Sequence, residues 1–327
     1  MEEPKLDLSI VIPVFNEESN LEPLHREIES VLSGQGLTYE ILAVDDGSTD
    51  ESFETLQKIQ KTEPHLRIIR FRRNFGQTAA LSAGFKHARG RVIIPMDADG
   101  QNDPADIPRL LKKLQEGYDI VSGWRKERKD NPVTRTLPSR IANWLIGRIT
   151  GVRLHDYGCT LKAYRAESLK SIRLYGEMHR FIPALARWGG EKVAEVVVNH
   201  RPRRHGKTKY GLNRIFKVLL DLITIKFLAS FSTKPIYVFG GLGMVCLLGS
   251  IVSGAVVLYM KLALQYSMNR NPLLIVSLIL MTTAVQFVLM GLLAEILVRT
   301  YHESQDRPTY VIERILEPAG SAGQDKG

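Results

Sequence analysis

The sequence predicts an α/β protein: a mostly parallel sheet domain covered by helices, followed by an amphipathic interfacial helix and a two-helix transmembrane hairpin. Three observations carry this. Apolar, β-rich runs alternate with stretches of helical spacing through the first third of the chain. The apolar run 92–96 ends in Asp97-Ala98-Asp99, two carboxylates spaced i, i+2 at a strand's end. Two long stretches without a charge, 235–260 and 272–294, lie in the last third.

The elements follow in order. Residues 8–14 read as a strand, and 19–32 have helical spacing with Ser19 or Asn20 as cap. Residues 39–44 form the next strand and run into Asp45-Asp46-Gly47-Ser48-Thr49-Asp50, after which a helix extends to about residue 62. A strand at 66–71, a helix at 77–88, a strand at 92–96, a helix at 104–116 and a strand at 119–122 continue the alternation. Repeated βα units of this length imply a parallel sheet with helices on both faces. Three loops rich in Asp, Asn, Gly and Ser then gather at one sheet edge: Pro13-Val14-Phe15-Asn16-Glu17, 45–50 and 97–103. In extended backbone, residues two apart point the same way, so Asp97 and Asp99 converge where open α/β sheets bind ligands. Two hard oxygen ligands suit Mg²⁺ or Mn²⁺. Alone, Asp-x-Asp is a weak signal, and Asp50 as a helix cap with Asp45 and Asp46 as turn residues is the bland alternative.

Composition bounds the rest. The 327 residues hold one large domain plus appendages, and the net charge of +9 points to an anionic partner. Two cysteines, Cys159 and Cys246, give neither a disulfide framework nor a zinc pattern. The first residues run straight into a strand, so a signal peptide is not expected and the sheet domain is expected in the cytosol.

Charge and hydrophobicity are localised. Residues 196–220 contain no acid, and within 213–230 the apolar residues fall on one side of a helix interrupted by Lys217, Asp221 and Lys226. That pattern suits a helix in the membrane interface with its basic residues on anionic head groups. A nucleic-acid partner is not expected, because no aromatic–basic interleaving accompanies the basic run. Each uncharged stretch spans roughly 35 Å as helix, enough for a bilayer core of about 30 Å. Nine Lys or Arg lie from Arg201 to Lys234, and Arg299, Arg307 and Arg314 follow the second stretch. The positive-inside rule therefore places both flanks in the cytoplasm, with the protein in the cytoplasmic (inner) membrane. Gly249, Ser250, Ser253 and Gly254 give the small-residue spacing of closely packed helices. The expected organisation is a sheet domain at 1–200, basic amphipathic helices at 201–234, the hairpin at 235–298 (spans 235–260 and 272–298), and a cytosolic tail at 299–327, disordered at its end.

Ser9-Ile10-Val11-Ile12-Pro13-Val14-Phe15-Asn16-Glu17-Glu18, Val44-Asp45-Asp46-Gly47-Ser48-Thr49-Asp50 and Asp97-Ala98-Asp99, in this order and at these strand ends, resemble family 2 glycosyltransferases of the GT-A (Rossmann-like) fold. The polyprenyl-phosphate glycosyltransferases are most similar. They share Arg73-Asn74-Phe75-Gly76-Gln77, the run from His155 to Arg165, His179-Arg180-Phe181-Ile182-Pro183, Gly206-Lys207-Thr208-Lys209-Tyr210 and Met290 to Glu295. One departure is Gly100, where relatives commonly carry Leu, which loosens the local backbone. The resemblance implies nucleotide-sugar binding by Pro13, Val14, Asn16, Glu17, Asp46, Gly76, Asp97, Ala98, Asp99 and Gln101. It implies a Mg²⁺ or Mn²⁺ site at Asp97, Asp99 and Gln101, and a polyprenyl phosphate acceptor in a membrane. A homo-oligomer, a tetramer for preference, is also implied.

Basic residues after the 119–122 strand, Arg125, Lys126 and Arg128 among them, suit a clamp on phosphate or a solvated loop. Arg201, Arg203, Lys207 and Lys209 are further candidates for phosphate or acceptor binding, since Arg suits bidentate phosphate recognition. Asp99 and Asp156 are the catalytic candidates. Asp156 matches the position usually assigned as base, with acceptor positioning and a turn role as alternatives. A phosphate acceptor, anionic above a second pKa of about 6, has less need of a base than a sugar hydroxyl. The expected reaction is metal-dependent, inverting transfer from a nucleotide-sugar, first of all a UDP-sugar, to undecaprenyl phosphate for envelope glycan or lipid A modification. The rivals are a processive polysaccharide synthase and a non-catalytic membrane scaffold. Against the first, Ala184-Leu185-Ala186-Arg187-Trp188 lacks the Gln of the Gln-x-x-Arg-Trp pattern.

Overall fold

A computed structural model describes residues 6–126, 143, 146–148, 150–170, 172, 178–202, 236–265, 267, 271–304 and 310–318. The described parts of the first 202 residues and residues 310–318 belong to one compact unit, and the two long apolar helices form a second.

In the first unit, β1 (Leu6–Val14), β2 (Tyr39–Asp45), β3 (Leu66–Phe71) and β4 (Gly90–Pro95) alternate with α1 (Glu18–Leu32), α2 (Ser52–Gln60) and α3 (Gln77–His87). Then come α4 (Ile107–Gln115), β5 (Ile120–Trp124), β6 (Lys162–Arg165), α5 (Ala166–Lys170), α6 (Ile182–Trp188) and β7 (Val193–Val197). The final strand, β8 (Ile312–Leu316), comes after both long helices. The sheet order is β7-β5-β6-β4-β1-β2-β3-β8. β1 runs parallel to both β2 and β4, and β2 to β3, so the order reverses between β1 and β4. Such a switch point leaves a crevice at the carboxyl ends of the two strands. β6 lies antiparallel between β4 and β5, which makes the sheet mixed.

The helices pack by the spacing of their apolar residues. α1 buries Leu21, Leu24, Ile28 and Leu32, one face of a 3.6-residue period. α3 buries small residues, Ala79, Ala80, Ala83 and Gly84. A Cβ on Gly84 would stand 2.2 Å from Val11 Cγ1, so glycine lets this helix lie hard against β1.

β8 departs from the expected tail. Residues 299–327 read as an appendage, yet α8 (Pro272–Ser304) extends past 298 and residues 312–316 pair antiparallel with β3. Glu317 then forms a bidentate pair with Arg67 (Nε at 3.0 Å, Nη2 at 2.9 Å), whose Nη1 donates to the buried Glu40 at 2.7 Å. A five-residue strand isolated behind a membrane-type segment carries little periodic signal. Its place is fixed by the unsatisfied edge of β3 and by the buried charge of Arg67.

In the second unit, α7 (Ile236–Ala263) and α8 carry stretches long and apolar enough to cross a bilayer, Val238–Ala263 and Pro272–Ala294, with mean hydropathies of 2.2 and 2.4. Their large side chains stay exposed, as in Val245 at 68% and Leu293 at 59%. The hairpin is sealed by small residues: Ser250 Oγ donates to the Ser277 carbonyl at 2.8 Å and Ser277 Oγ to the Ser250 carbonyl at 2.9 Å. Gly243 lies against Ala284, and Gly254 against Ser277. Much of the small-residue pattern thus serves packing within one chain.

Candidate active site

The site is assembled from the loops after β1, β2 and β4, with the first turn of α3 between them. Asn16 adopts φ 56°, a left-handed conformation that asparagine tolerates better than most residues. Its amide donates to Ser48 Oγ at 3.1 Å, and its side-chain oxygen accepts from the Thr49 amide at 2.8 Å. The Glu17 amide donates to Ser52 Oγ at 2.9 Å. Asp50, one residue before the Glu51 cap of α2, accepts from the amides of Ser52 and Glu18 at the starts of α2 and α1. Neither Ser19 nor Asn20 caps α1, whose first residue is Glu18. Pro13 and Val14 end β1. The Val14 side chain is in the core, while its carbonyl accepts from the Asp46 amide at 2.8 Å.

Asp45 and Asp46 play different parts. Asp45 is fully buried and accepts from the Ser48 amide at 3.0 Å, with Arg70 Nε 3.6 Å from its other oxygen. Asp46 accepts from the amides of Phe75 (2.7 Å) and Gly76 (2.9 Å), binding the β2 loop to the segment that begins α3. Burial pushes both carboxyls above their ordinary range; in Asp46 the two amides offset part of that rise. Gly76 sits at φ 95° and starts α3.

α3 delivers the next contact. Gln77 Nε2 donates to Asp97 Oδ1 at 2.8 Å, and Thr160 Oγ1, from the opposite side, to Asp97 Oδ2 at 2.6 Å. These donors are neutral, and among the described residues no Lys, Arg or His forms an ion pair with Asp97. Ala98 is buried, which turns its two neighbours outward, and both are half-buried. Asp99 Oδ1 accepts from the Gln101 amide at 3.1 Å through Gly100 at φ 71°. Gly100 therefore has a positive use, a tight left-handed turn that returns the Gln101 amide to Asp99. Gln77 and Thr160 lay inside the quoted motifs, but nothing in their spacing announced a shared partner.

The Asp156 loop abuts this carboxylate. Arg125 grips Asp156 through Nε (2.7 Å to Oδ2) and Nη2 (3.0 Å to Oδ1), and the Gly158 amide adds a third donor at 3.1 Å. The two side chains are 14% and 3% exposed. Burial works against the Arg125 charge, yet the paired Asp156 carboxylate and the nearby Asp97 hold its pKa above the ordinary arginine value. Beneath, Lys162 is buried and donates to the carbonyls of Tyr157 (3.2 Å) and Cys159, and burial pushes its pKa down. Asp156 is thus enclosed in a bidentate ion pair with Arg125.

Arg201 ties two segments of the site together. Its amide donates to the Gln101 carbonyl at 3.0 Å, while its guanidinium pairs with Glu27 and, at 2.8 Å, with Asp103. It joins α1 to the 97–103 loop. Lys126 lies with Nζ 5.8 Å from the Trp124 ring centroid. Arg128, Arg203, Lys207 and Lys209, with the amphipathic stretch 213–230, fall outside the described residues.

The residues fit a divalent cation of the Mg²⁺ or Mn²⁺ type. Asp97 and Asp99 present hard oxygens at one strand end, and the groups that orient Asp97 are neutral.

Comparison with known proteins agrees with this arrangement. Residues 9–173 match the model of glycosyl transferase family 2. The chain is 42% identical over 324 residues to a dodecaprenyl-phosphate galacturonate synthase of Rhizobium johnstonii, covering 97% of this chain and 95% of that one. It is 38% identical over 317 residues to an undecaprenyl-phosphate 4-deoxy-4-formamido-L-arabinose transferase of Pseudomonas paraeruginosa, covering 96% and 92%. Among solved structures, glucosyl-3-phosphoglycerate synthase from Mycobacterium tuberculosis, in complex with Mn²⁺, UDP and product, superposes with a TM-score of 0.53 at 19% identity. That match covers 69% of this chain and 80% of that one, and shows a shared GT-A fold. With the sheet, the paired carboxylates and relatives along nearly its whole length, this chain belongs to glycosyl transferase family 2 and is a glycosyltransferase.

Proposed function

We propose that the chain transfers a sugar from a nucleotide-sugar, a UDP-sugar in the first instance, to a polyprenyl phosphate such as undecaprenyl phosphate, with inversion at the anomeric carbon. One observation carries this reading: the same chain holds, at a sheet switch point, a carboxylate pair in which Gln77 and Thr160 orient Asp97 and the Gln101 amide orients Asp99, and two helices of bilayer-crossing length. The relatives named for dodecaprenyl and undecaprenyl phosphate extend over both parts.

In this reading the loops after β1 and β2, with Asn16, Glu17 and Asp46, hold the nucleoside. Asp97 and Asp99, with Gln101, are the residues that would hold Mg²⁺ or Mn²⁺. The ion supplies positive charge where the leaving nucleoside diphosphate gathers negative charge. Arg125 presents to phosphate the N–H groups that Asp156 leaves over, since a guanidinium has five and the pair engages two. Asp156 positions Arg125, and the acceptor phosphate attacks as its own dianion above about pH 6. The protein lies in the cytoplasmic membrane with the sheet domain on the cytoplasmic side. The basic flanks of the two apolar stretches support this. A homo-oligomer, tetrameric for preference, rests on resemblance. Modification of lipid A or of another envelope glycan is the proposed use of the product.

The test is nucleoside-diphosphate release by detergent-purified protein across UDP- and GDP-sugars with Mn²⁺ or Mg²⁺, each with and without undecaprenyl phosphate. Release from one donor that requires the lipid phosphate supports the reading, and lipid-independent release opposes it.

A further inference from the structure

The segment after the second long helix packs against the end of β3, beside the loop 72–77 whose amides hold Asp46. Tyr310 is buried, and its ring stacks on Phe71 at 5.1 Å between centroids, inclined by 15°. Phe71, the last residue of β3, meets Phe75 edge to face at 5.7 Å. The Arg73 guanidinium covers the Phe75 ring at 4.4 Å. Phe75 is the residue whose amide donates to Asp46, and two positions on is Gln77, which orients Asp97. Backbone pairing of β3 with the C-terminal segment continues to the end of this path, where the Arg72 amide donates to the Val311 carbonyl at 3.3 Å. A close approach on the other side holds the loop in place: a Cβ on Gly47 would stand 2.5 Å from the Arg73 carbonyl carbon. The loop 72–77 is thus held between the 45–50 loop and the Tyr310–Phe71 stack.

We propose that Tyr310 is a positioning residue for the nucleotide-sugar. Through Phe71 and Phe75 it sets the two amides that orient Asp46 and the start of α3 that orients Gln77 against Asp97. This rests on the reading that Asp46 and Asp97 bind the donor. A rigid ring in a stacked pair suits the task, because it holds Phe71 in one orientation at little entropic cost, where an aliphatic side chain only fills volume. Tyr310 lies only six residues beyond Ser304, the end of α8, so the chain that leaves the hairpin supplies part of the donor site's support.

The experiment uses the full-length protein with steady-state kinetics for donor and lipid phosphate separately. Tyr310→Phe retains the ring and is expected to hold the donor KM within twofold. Tyr310→Leu fills much of the volume without a stack and is expected to raise the donor KM about three- to tenfold, with the lipid KM unchanged. Val311→Ala, on an exposed neighbour, should match the parent. An unchanged donor KM in Tyr310→Leu overturns the proposal. So does a fall in kcat at constant KM, which is the signature of lost folded enzyme. Asp46→Asn separates the two levels: if it leaves the donor KM unchanged, the donor-site reading itself fails, whatever Tyr310 does. If it raises the donor KM and Tyr310→Leu does not, only the positioning role falls.

Discussion

Replacing Asp156 by Asn discriminates between a base and a residue that orients Arg125. The carboxylate accepts two charge-assisted bonds from Arg125 at 2.7 and 3.0 Å, and both side chains are largely enclosed. Removing one partner of such a buried pair costs about 3–5 kcal/mol. Asn keeps the shape and one acceptor, so a loss of roughly 2 kcal/mol is expected, with a fall in Tm of about 4–8 °C. Arg125 then loses its bidentate hold. Arg125→Lys, which cannot make that fork, should lower kcat/KM by a similar factor, about 10–100-fold. The double variant should be little worse than either single one, because the two residues act as a unit. The assay is the pH dependence of kcat/KM for undecaprenyl phosphate. The parent should show an acid limb near pH 6 from the acceptor's own second ionisation, and Asp156→Asn should keep that limb at lower amplitude. Disappearance of the limb in Asp156→Asn, with full activity in Arg125→Lys, would refute the positioning role and restore the base.

Other perturbations address separate parts of the structure. Asp97→Ala or Asp99→Ala should lower metal-dependent turnover by about 10³-fold or more while Tm moves by only a few degrees, measured by diphosphate release against Mn²⁺ titration and by thermal unfolding. Gly84→Ala places a Cβ 2.2 Å from Val11 Cγ1 and should destabilise the sheet domain by about 1–3 kcal/mol, visible as a lower Tm in denaturation scans. Burial alone would raise the Glu317 pKa, but Arg67 and Arg89 outweigh it and hold the carboxyl below its ordinary range. Its contribution to stability is therefore present above the unfolded carboxyl value of 4.5 and lost as pH falls through the lower folded value. Glu317→Gln should remove that part of the acid sensitivity, read as a flatter Tm-against-pH curve below pH 5.

The parts of the fold that rest on local pattern were legible in the chain. The run 92–96 with Asp97 and Asp99 at its end, the Asp45–Asp50 turn and the two uncharged stretches all carry their signal within ten to thirty residues. What stayed hidden depends on distant partners. Thr160 meets Asp97 across 63 positions, Arg125 meets Asp156 across 31, and Arg67 meets Glu317 across 250. The acids that Arg201 meets, Glu27 and Asp103, likewise reach it only in the folded chain. β8 was lost for the same reason: an edge strand's place is decided by the strand it covers, here β3.

The most direct measurement is the mass of the lipid product. Purified protein would be incubated with Mn²⁺, the donor selected from the nucleotide-sugar panel and undecaprenyl phosphate, and the organic extract analysed by mass spectrometry. Expected is a new species at the mass of the lipid phosphate plus one glycosyl residue, absent with Asp97→Ala and absent when undecaprenol replaces its phosphate. A sugar found on free undecaprenol, a lengthening glycan chain, or nucleoside diphosphate released with no lipid adduct would contradict transfer to a polyprenyl phosphate.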